Sequence, residues 1–223
     1  MAVAPDVRVT TEHAFELGSK VVTFVVGSDG ARKSFIVHKA VIADRAPKLL
    51  GTLESGAQST IALPDVEPPV FSLYLQYLYT RRLPSKPNNA QPTVAEHTAE
   101  ITLLCRLFAL SKSVGDDQAA KDATNAIYAK AHEEPPNNLH VMLPSSVGVD
   151  IIYKVTDRPC GTRRLLVDLY IWKAASKWVK DHLGEDPAYP PEFLSDLAVA
   201  LLEQREDRSK VARIEKEVSE YYD

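Results

Sequence analysis

The sequence of 223 residues predicts an α/β protein in which a small three-stranded sheet packs against helices and an all-helical C-terminal region follows. Three observations predict this. Short β-branched and apolar runs stand at Val21 to Val26, Ser34 to His38 and Thr60 to Leu63. The hydrophobic period becomes helical at Lys39, and beyond Pro68 apolar residues recur at helical spacing. Proline-bearing breaks at Leu83 to His97 and Glu133 to Asn138 separate the helical stretches.

Val21-Val22-Thr23-Phe24-Val25-Val26 is β-branched and apolar throughout, the composition of a strand covered on both faces. Gly27-Ser28-Asp29-Gly30 reads as a turn, and Ser34-Phe35-Ile36-Val37-His38 resumes the strand pattern, which predicts a hairpin. Ala40 to Ala43 suggests a short helix, interrupted at Ala46-Pro47 before a second helical turn at Leu49-Leu50. Thr60 to Leu63 is the third strand. Asp65-Val66-Glu67-Pro68 looks like a helix entrance, since an acidic residue accepts free N–H groups and proline is tolerated in the first turn. The helix then runs to about Tyr79, with Val70, Phe71, Tyr74, Leu75, Leu78 and Tyr79 forming a wide apolar stripe.

Leu83 to His97 reads as an exposed loop. Ile101 to Lys112 is apolar nearly all round and predicts a buried helix, and Ala119 to Ala131 repeats small residues at helical spacing. Glu133-Glu134-Pro135-Pro136 is the expected domain boundary, giving an N-terminal segment 1–19, a domain 20–132 and a helical extension 139–223. In the extension, Val147 to Val155 predicts one helix and Leu165 to Leu183 a long one. Phe193 to Leu202 predicts a third, before a charged tail from Glu203 to Asp223. Val211, Ile214, Val218 and Tyr221 have 4-3 spacing, most economically read as a terminal helix docked on its own domain.

The chain is 45% hydrophobic, enough for a sizeable core. No stretch approaches the roughly 18 apolar residues of a membrane span, and Met1 to Thr10 lacks a signal-peptide pattern, so an intracellular protein of the cytoplasm or nucleus is expected. Its two cysteines, Cys105 and Cys160, argue against a disulfide framework. A net charge of −4 and dispersed basic residues argue against nucleic acid as a partner.

Phe35-x-Val37-His38-Lys39-Ala40-Val41-Ile42-Ala43-x-Arg45-Ala46-Pro47 resembles the BTB/POZ signature, in which a strand delivers a His-Lys pair into the first core helix. Leu63-Pro64-Asp65-Val66-Glu67-Pro68-x-Val70-Phe71 and Leu75-x-Tyr77-Leu78-Tyr79-Thr80 resemble the family's third strand and following helix. The likeness covers residues 20–132, and Arg164 to Trp172 resembles the helical tail of fungal BTB proteins. The resemblance implies a sheet flanked by helical hairpins and a non-catalytic protein-interaction role with no cofactor. It also implies homodimerisation through surfaces that map to Phe15, Leu17, Val41, Ile42 and Arg45. Its other implied role is substrate adaptor for a cullin-3 ubiquitin ligase. On that side the candidates are Leu53 and Glu54 in the loop before the third strand, Ser113 at the end of the buried helix, and Tyr77.

Other signals have plainer readings. His38 is expected to make structural hydrogen bonds, and the remaining histidines lack metal-ligand spacing. Cys160 lies among Arg158, Arg163 and Arg164, which allows a reactive thiol, although a surface thiol without function is the commoner case. An enzyme in the helical half would rest on Cys160 with Asp150, Asp157 and Asp168. Of the tyrosines on the helix after Pro68, Tyr77 is expected to be the exposed one.

Overall fold

The computed structural model describes residues 10, 17–28, 30–51, 60–89, 91–133, 142–157, 159–181, 188–206 and 218–222. Strands β1 (Val21–Val26), β2 (Lys33–His38) and β3 (Thr60–Leu63) form one sheet in the order β2-β1-β3. β2 runs antiparallel to β1 and β3 runs parallel to it, with Phe24 opposite both Phe35 and Ile61. Between β2 and β3 lie the short helices α1 (Lys39–Ala43) and α2 (Pro47–Leu50). Pro47 occupies the first turn of α2, where its missing N–H is harmless.

β1 is not covered on both faces, as its composition suggests. Val22, Phe24 and Val26 are fully buried, whereas the alternate residues Val21, Thr23 and Val25 lie on a face that is only partly covered. The β-branched composition thus serves one fully buried face and one partly covered face. Gly27 closes β1 at φ +93°, and its N–H donates to Leu63 O at 3.0 Å. A Cβ there would lie 3.1 Å from Ala31 O and 3.2 Å from the Pro68 ring, so both conformation and space favour glycine.

α3 (Pro68–Thr80) lays Phe71 on the inner sheet face, its ring 5.0 Å from Phe24 and 5.2 Å from Phe35. α4 (Val94–Val114) begins with a capping box in which Thr93 and Glu96 satisfy each other's backbone N–H groups. α5 (Asp117–His132) is N-capped by Asp116, whose Oδ1 accepts from Ala119 N–H at 3.0 Å.

The helical region comprises α6 (Ser146–Lys154), α7 (Gly161–Lys173), α8 (Ser176–Asp181) and α9 (Pro191–Glu206), with a closing 3-10 turn at Val218–Tyr221. The single helix expected over Leu165 to Leu183 is broken after Lys173, because Ala174 turns extended at ψ 139°. α6 packs on α4 so closely that a Cβ on Gly148 would lie 3.2 Å from Cys105 Sγ. The buried cluster consequently runs without interruption from Phe24 through Leu104 and Cys105 to Ile152, Leu165 and Phe193. Residues on both sides of the Glu133 to Asn138 break thus contribute to one buried cluster.

Candidate interaction surface

The residues of the His-Lys block serve the chain's own interior. His38 N–H donates to Tyr79 Oη at 3.1 Å, and Tyr79 Oη lies 2.9 Å from His38 Nδ1. With Oη accepting from the backbone, its proton is directed to the ring nitrogen, so strand β2 and helix α3 are tied by a reciprocal pair. Val41 and Ile42 are buried at 6% and 0% exposure within the core. Arg45 Nη2 reaches Asp116 Oδ1 at 2.7 Å. Tyr74 donates to the other Asp116 oxygen at 3.1 Å. One carboxylate thus joins the α1–α2 turn to α3 and caps α5, so it neutralises a cation and satisfies a helix terminus at once. Burial alone would lower the Arg45 pKa, but its bonds to Asp116 and Tyr77 outweigh that and hold it raised.

Tyr77 is not exposed. It retains 2% of its surface, donates to Asp122 Oδ2 at 2.5 Å, and has the Arg45 and Arg81 guanidinium groups 5.7 and 5.8 Å from its ring. Burial, followed by the bond to Asp122, pushes its phenol up to about 12. The reason is a rotated stripe. The buried positions of α3 are Val70, Phe71, Leu73, Tyr74, Tyr77 and Leu78, because α3 is enclosed by α4 as well as by the sheet.

Ser113, by contrast, is exposed on a groove formed by β3, the start of α3 and the end of α4. Two adjoining cavities of about 320 and 360 Å³ make this groove and share Val66, Leu110 and Ser113. Leu49, Ile61 and Val70 extend its apolar lining, with Lys48 at one rim and a 2.5 Å Arg106–Glu67 pair at the other. An apolar channel with charged rims is suited to a side chain or helix of another protein. Leu17 is half-buried against the core, whereas Phe15, Leu53 and Glu54 lie outside the described residues.

The helical half does not assemble one chemical centre from its flagged residues. Asp150 pairs with Lys154 at 2.7 Å and lines an open cavity of about 710 Å³ with Asp157, Tyr153 and Tyr189. Asp168 accepts from Tyr221 Oη at 3.0 Å. Cys160 lines a different cavity, of about 60 Å³, with Lys112, Lys121, Tyr221 and Tyr222. Arg163 turns into the interior, donating to Thr156 Oγ1 at 2.7 Å and to the carbonyls of Tyr153 and Thr156. Among the described residues no group of His, Cys, Asp or Glu could hold a metal ion, and no helix is long and apolar enough to cross a membrane.

A family model described as the BTB/POZ domain matches residues 20–104. That segment is a BTB/POZ domain. No curated protein matches the chain. The match spans the sheet, α1 to α3 and the first half of α4, and it makes this part of the chain a protein-interaction domain. Sequence reading overlooked two polar hubs nearby, both reaching beyond the matched residues. Asp116 stands in the Gly-Asp-Asp start of α5, where an N-cap was legible but its burial was not. Glu100 and Lys130 are buried partners at 2.8 Å, although nothing in their spacing links α4 to α5.

Proposed function

We propose that the chain works as a non-catalytic scaffold that homodimerises through its BTB/POZ domain and presents its helical region to other proteins. The observation that carries this reading is the open face of the sheet. Ile36 is 73% and Val21 41% exposed, and the β1–β2 register puts both on the face opposite Val22 and Val37. Apolar side chains clustered on an uncovered sheet are suited to a self-complementary contact between two copies. Leu17, just before β1, is half-buried against the core, and Val41 and Ile42 are already buried by their own chain, so substituting these two tests folding rather than assembly.

Light scattering on the purified chain tests the proposal. A dimer at micromolar concentration is expected, shifted to monomer by Ile36→Asp with Val21→Asp, since each charge would be desolvated in the contact. A monomer across a wide concentration range would remove the dimeric scaffold.

A second reading, substrate adaptor for a cullin-3 ubiquitin ligase, is favoured by the groove with Ser113 on its rim. Leu53 and Glu54 belong to the same proposed side. Co-purification with cullin-3, lost on Ser113→Arg, would support it; absence of capture by the unaltered chain would end it.

A further inference from the structure

The segment between α3 and α4 carries a feature that neither reading uses. Arg81 caps α3 in the left-handed conformation at φ 57°, its N–H bonded to Tyr77 O at 2.8 Å, and turns the chain out of the helix. Arg81 and Arg82 then stand exposed, followed by Leu83-Pro84-Ser85-Lys86-Pro87 without helix or strand. Two prolines in this stretch favour extended backbone on either side of Ser85. Such a segment has the form in which a kinase active site takes its substrate, and an arginine three residues before the serine is the charge pattern that arginine-directed kinases select.

What the hydroxyl touches gives the position its consequence. Ser85 Oγ donates to Glu100 Oε1 at 3.1 Å, and Glu100 is 5% exposed. The other oxygen of Glu100 forms an ion pair with Lys130 Nζ at 2.8 Å; that ammonium, itself 4% exposed, also donates to Glu133 at 2.7 Å. Glu133 is bridged in turn to Lys86 at 2.8 Å. Ser85 and Lys86 therefore pin the segment to the start of α4 and the end of α5 through one chain of charge-assisted bonds.

We propose that Ser85 is a phosphorylation site for an arginine-directed serine kinase, and that the phosphate releases the 81–93 segment from the Glu100–Lys130–Glu133 network. In the transfer, Ser85 Oγ bonds to the γ-phosphorus of ATP while the bond from that phosphorus to the β–γ bridging oxygen breaks. ADP leaves, and the hydroxyl proton passes to the kinase's base. The product carries about −1.5 to −2 charges where a neutral donor stood. It can no longer donate to Glu100, is repelled by that carboxylate, and competes for Lys86 and Lys130.

The test treats the full-length folded chain with calmodulin-dependent protein kinase and ATP, localises the phosphate by mass spectrometry, and follows amide hydrogen exchange. One phosphoryl group at Ser85 is expected, absent in Ser85→Ala and incorporated about tenfold more slowly in Arg82→Ala, the loss of a single charge-assisted contact. Exchange should rise in residues 83–93 and at the end of α5, and less so in Glu100→Gln, where the repulsion is missing. Two results would overturn the proposal. One is no incorporation into the folded chain by a kinase that modifies the free 79–89 peptide; the other is incorporation with no change in exchange.

Discussion

The part of the chain that holds the sheet and α1 to α5 and the helical half from α6 onward each bury a charged side chain, and they stabilise it in opposite ways. Asp116 is an anion met by a cation, Arg45 at 2.7 Å, with Tyr74 and a helix N-terminus completing its shell. Arg163 is a cation met by neutral groups, the Thr156 hydroxyl, two carbonyls and the face of Tyr153 at 4.1 Å. The first arrangement depends on partners distant in sequence and so fixes how α1, α3 and α5 meet. The second uses acceptors within ten residues, and it shapes the α6–α7 turn more than the packing of distant helices. A buried charge thus specifies tertiary arrangement only when its partner comes from elsewhere in the chain.

The largest expected effect asks whether the halves are separable at all. Phe71→Ala and Phe193→Ala each empty a fully buried aromatic site, one against Phe24 and Phe35, the other 4.9 Å from Tyr170, and each should cost about 3 to 5 kcal/mol. Both tryptophans, Trp172 and Trp178, lie in the helical half, so fluorescence reports on that half while circular dichroism reports on the whole. The continuous core predicts coincident urea transitions by both probes in both variants. Separate transitions would place a folding boundary near Pro135-Pro136.

Asp116→Ala comes next. It leaves Arg45 without its carboxylate and α5 without its cap, for a loss of about 3 kcal/mol, reduced somewhat because Arg45 keeps 15% of its side-chain surface. Arg163→Met should cost less, about 1 to 3 kcal/mol, since methionine fills much of the volume and the freed acceptors are neutral. Chemical denaturation ranks the two. An equal or reversed order would mean that sequence distance between partners does not matter here.

Gly161→Ala probes the helical half alone. The backbone of Tyr221 lies directly over Gly161, leaving no room for a Cβ, so the closing turn must shift, at about 1 to 3 kcal/mol. Its signature is loss of the Tyr128–Tyr221 ring contact, read as greater proteolytic sensitivity of the last residues. Unchanged sensitivity would show that the tail is not docked on α5 and α7 in solution.

Legibility differed between the halves for physical reasons. Strands β1, β2 and β3 and helix α3 were readable because β-branched runs and a proline at a helix start are local signals, and the motif around His38 implied a sheet flanked by helical hairpins, although not its strand order. Tyr77 was misread because an apolar stripe gives the face of a helix only to within one residue, and enclosure by α4 moved it. The break at Ala174-Ala175 has no local signal, since alanine is the best helix former; there the Lys173 ammonium instead donates to the Ala131 carbonyl, a contact set by the fold. The groove beside Ser113 and the Ser85–Glu100 bond join segments that only the folded chain brings together.

The smallest effect separates charge from geometry at the α4–α5 end. Burial alone would raise the Glu133 pKa, but the bonds from Lys130 and Lys86 outweigh it and hold the carboxyl below its ordinary value. A carboxylate with a depressed folded pKa stabilises the protein above the unfolded glutamate value of about 4.3, and that contribution is lost as pH falls through the folded value. Lys130 is shifted upward, burial opposing and the two glutamates prevailing, so its contribution is present below the ordinary lysine range and is lost only as pH rises through the raised value. Neutral pH lies inside both windows. Glu133→Gln should therefore be slightly less stable than the unaltered chain at pH 7, by a margin kept small because Glu133 is about one-third exposed. The margin should close as the pH falls below about 4. Arg163→Met, whose lost partners are neutral acceptors, should show a deficit that does not change over the same range. Urea midpoints across the acid limb decide it: a Glu133→Gln deficit as flat as that of Arg163→Met would mean that the glutamate holds the segment by shape and hydrogen bonding, with its charge contributing nothing.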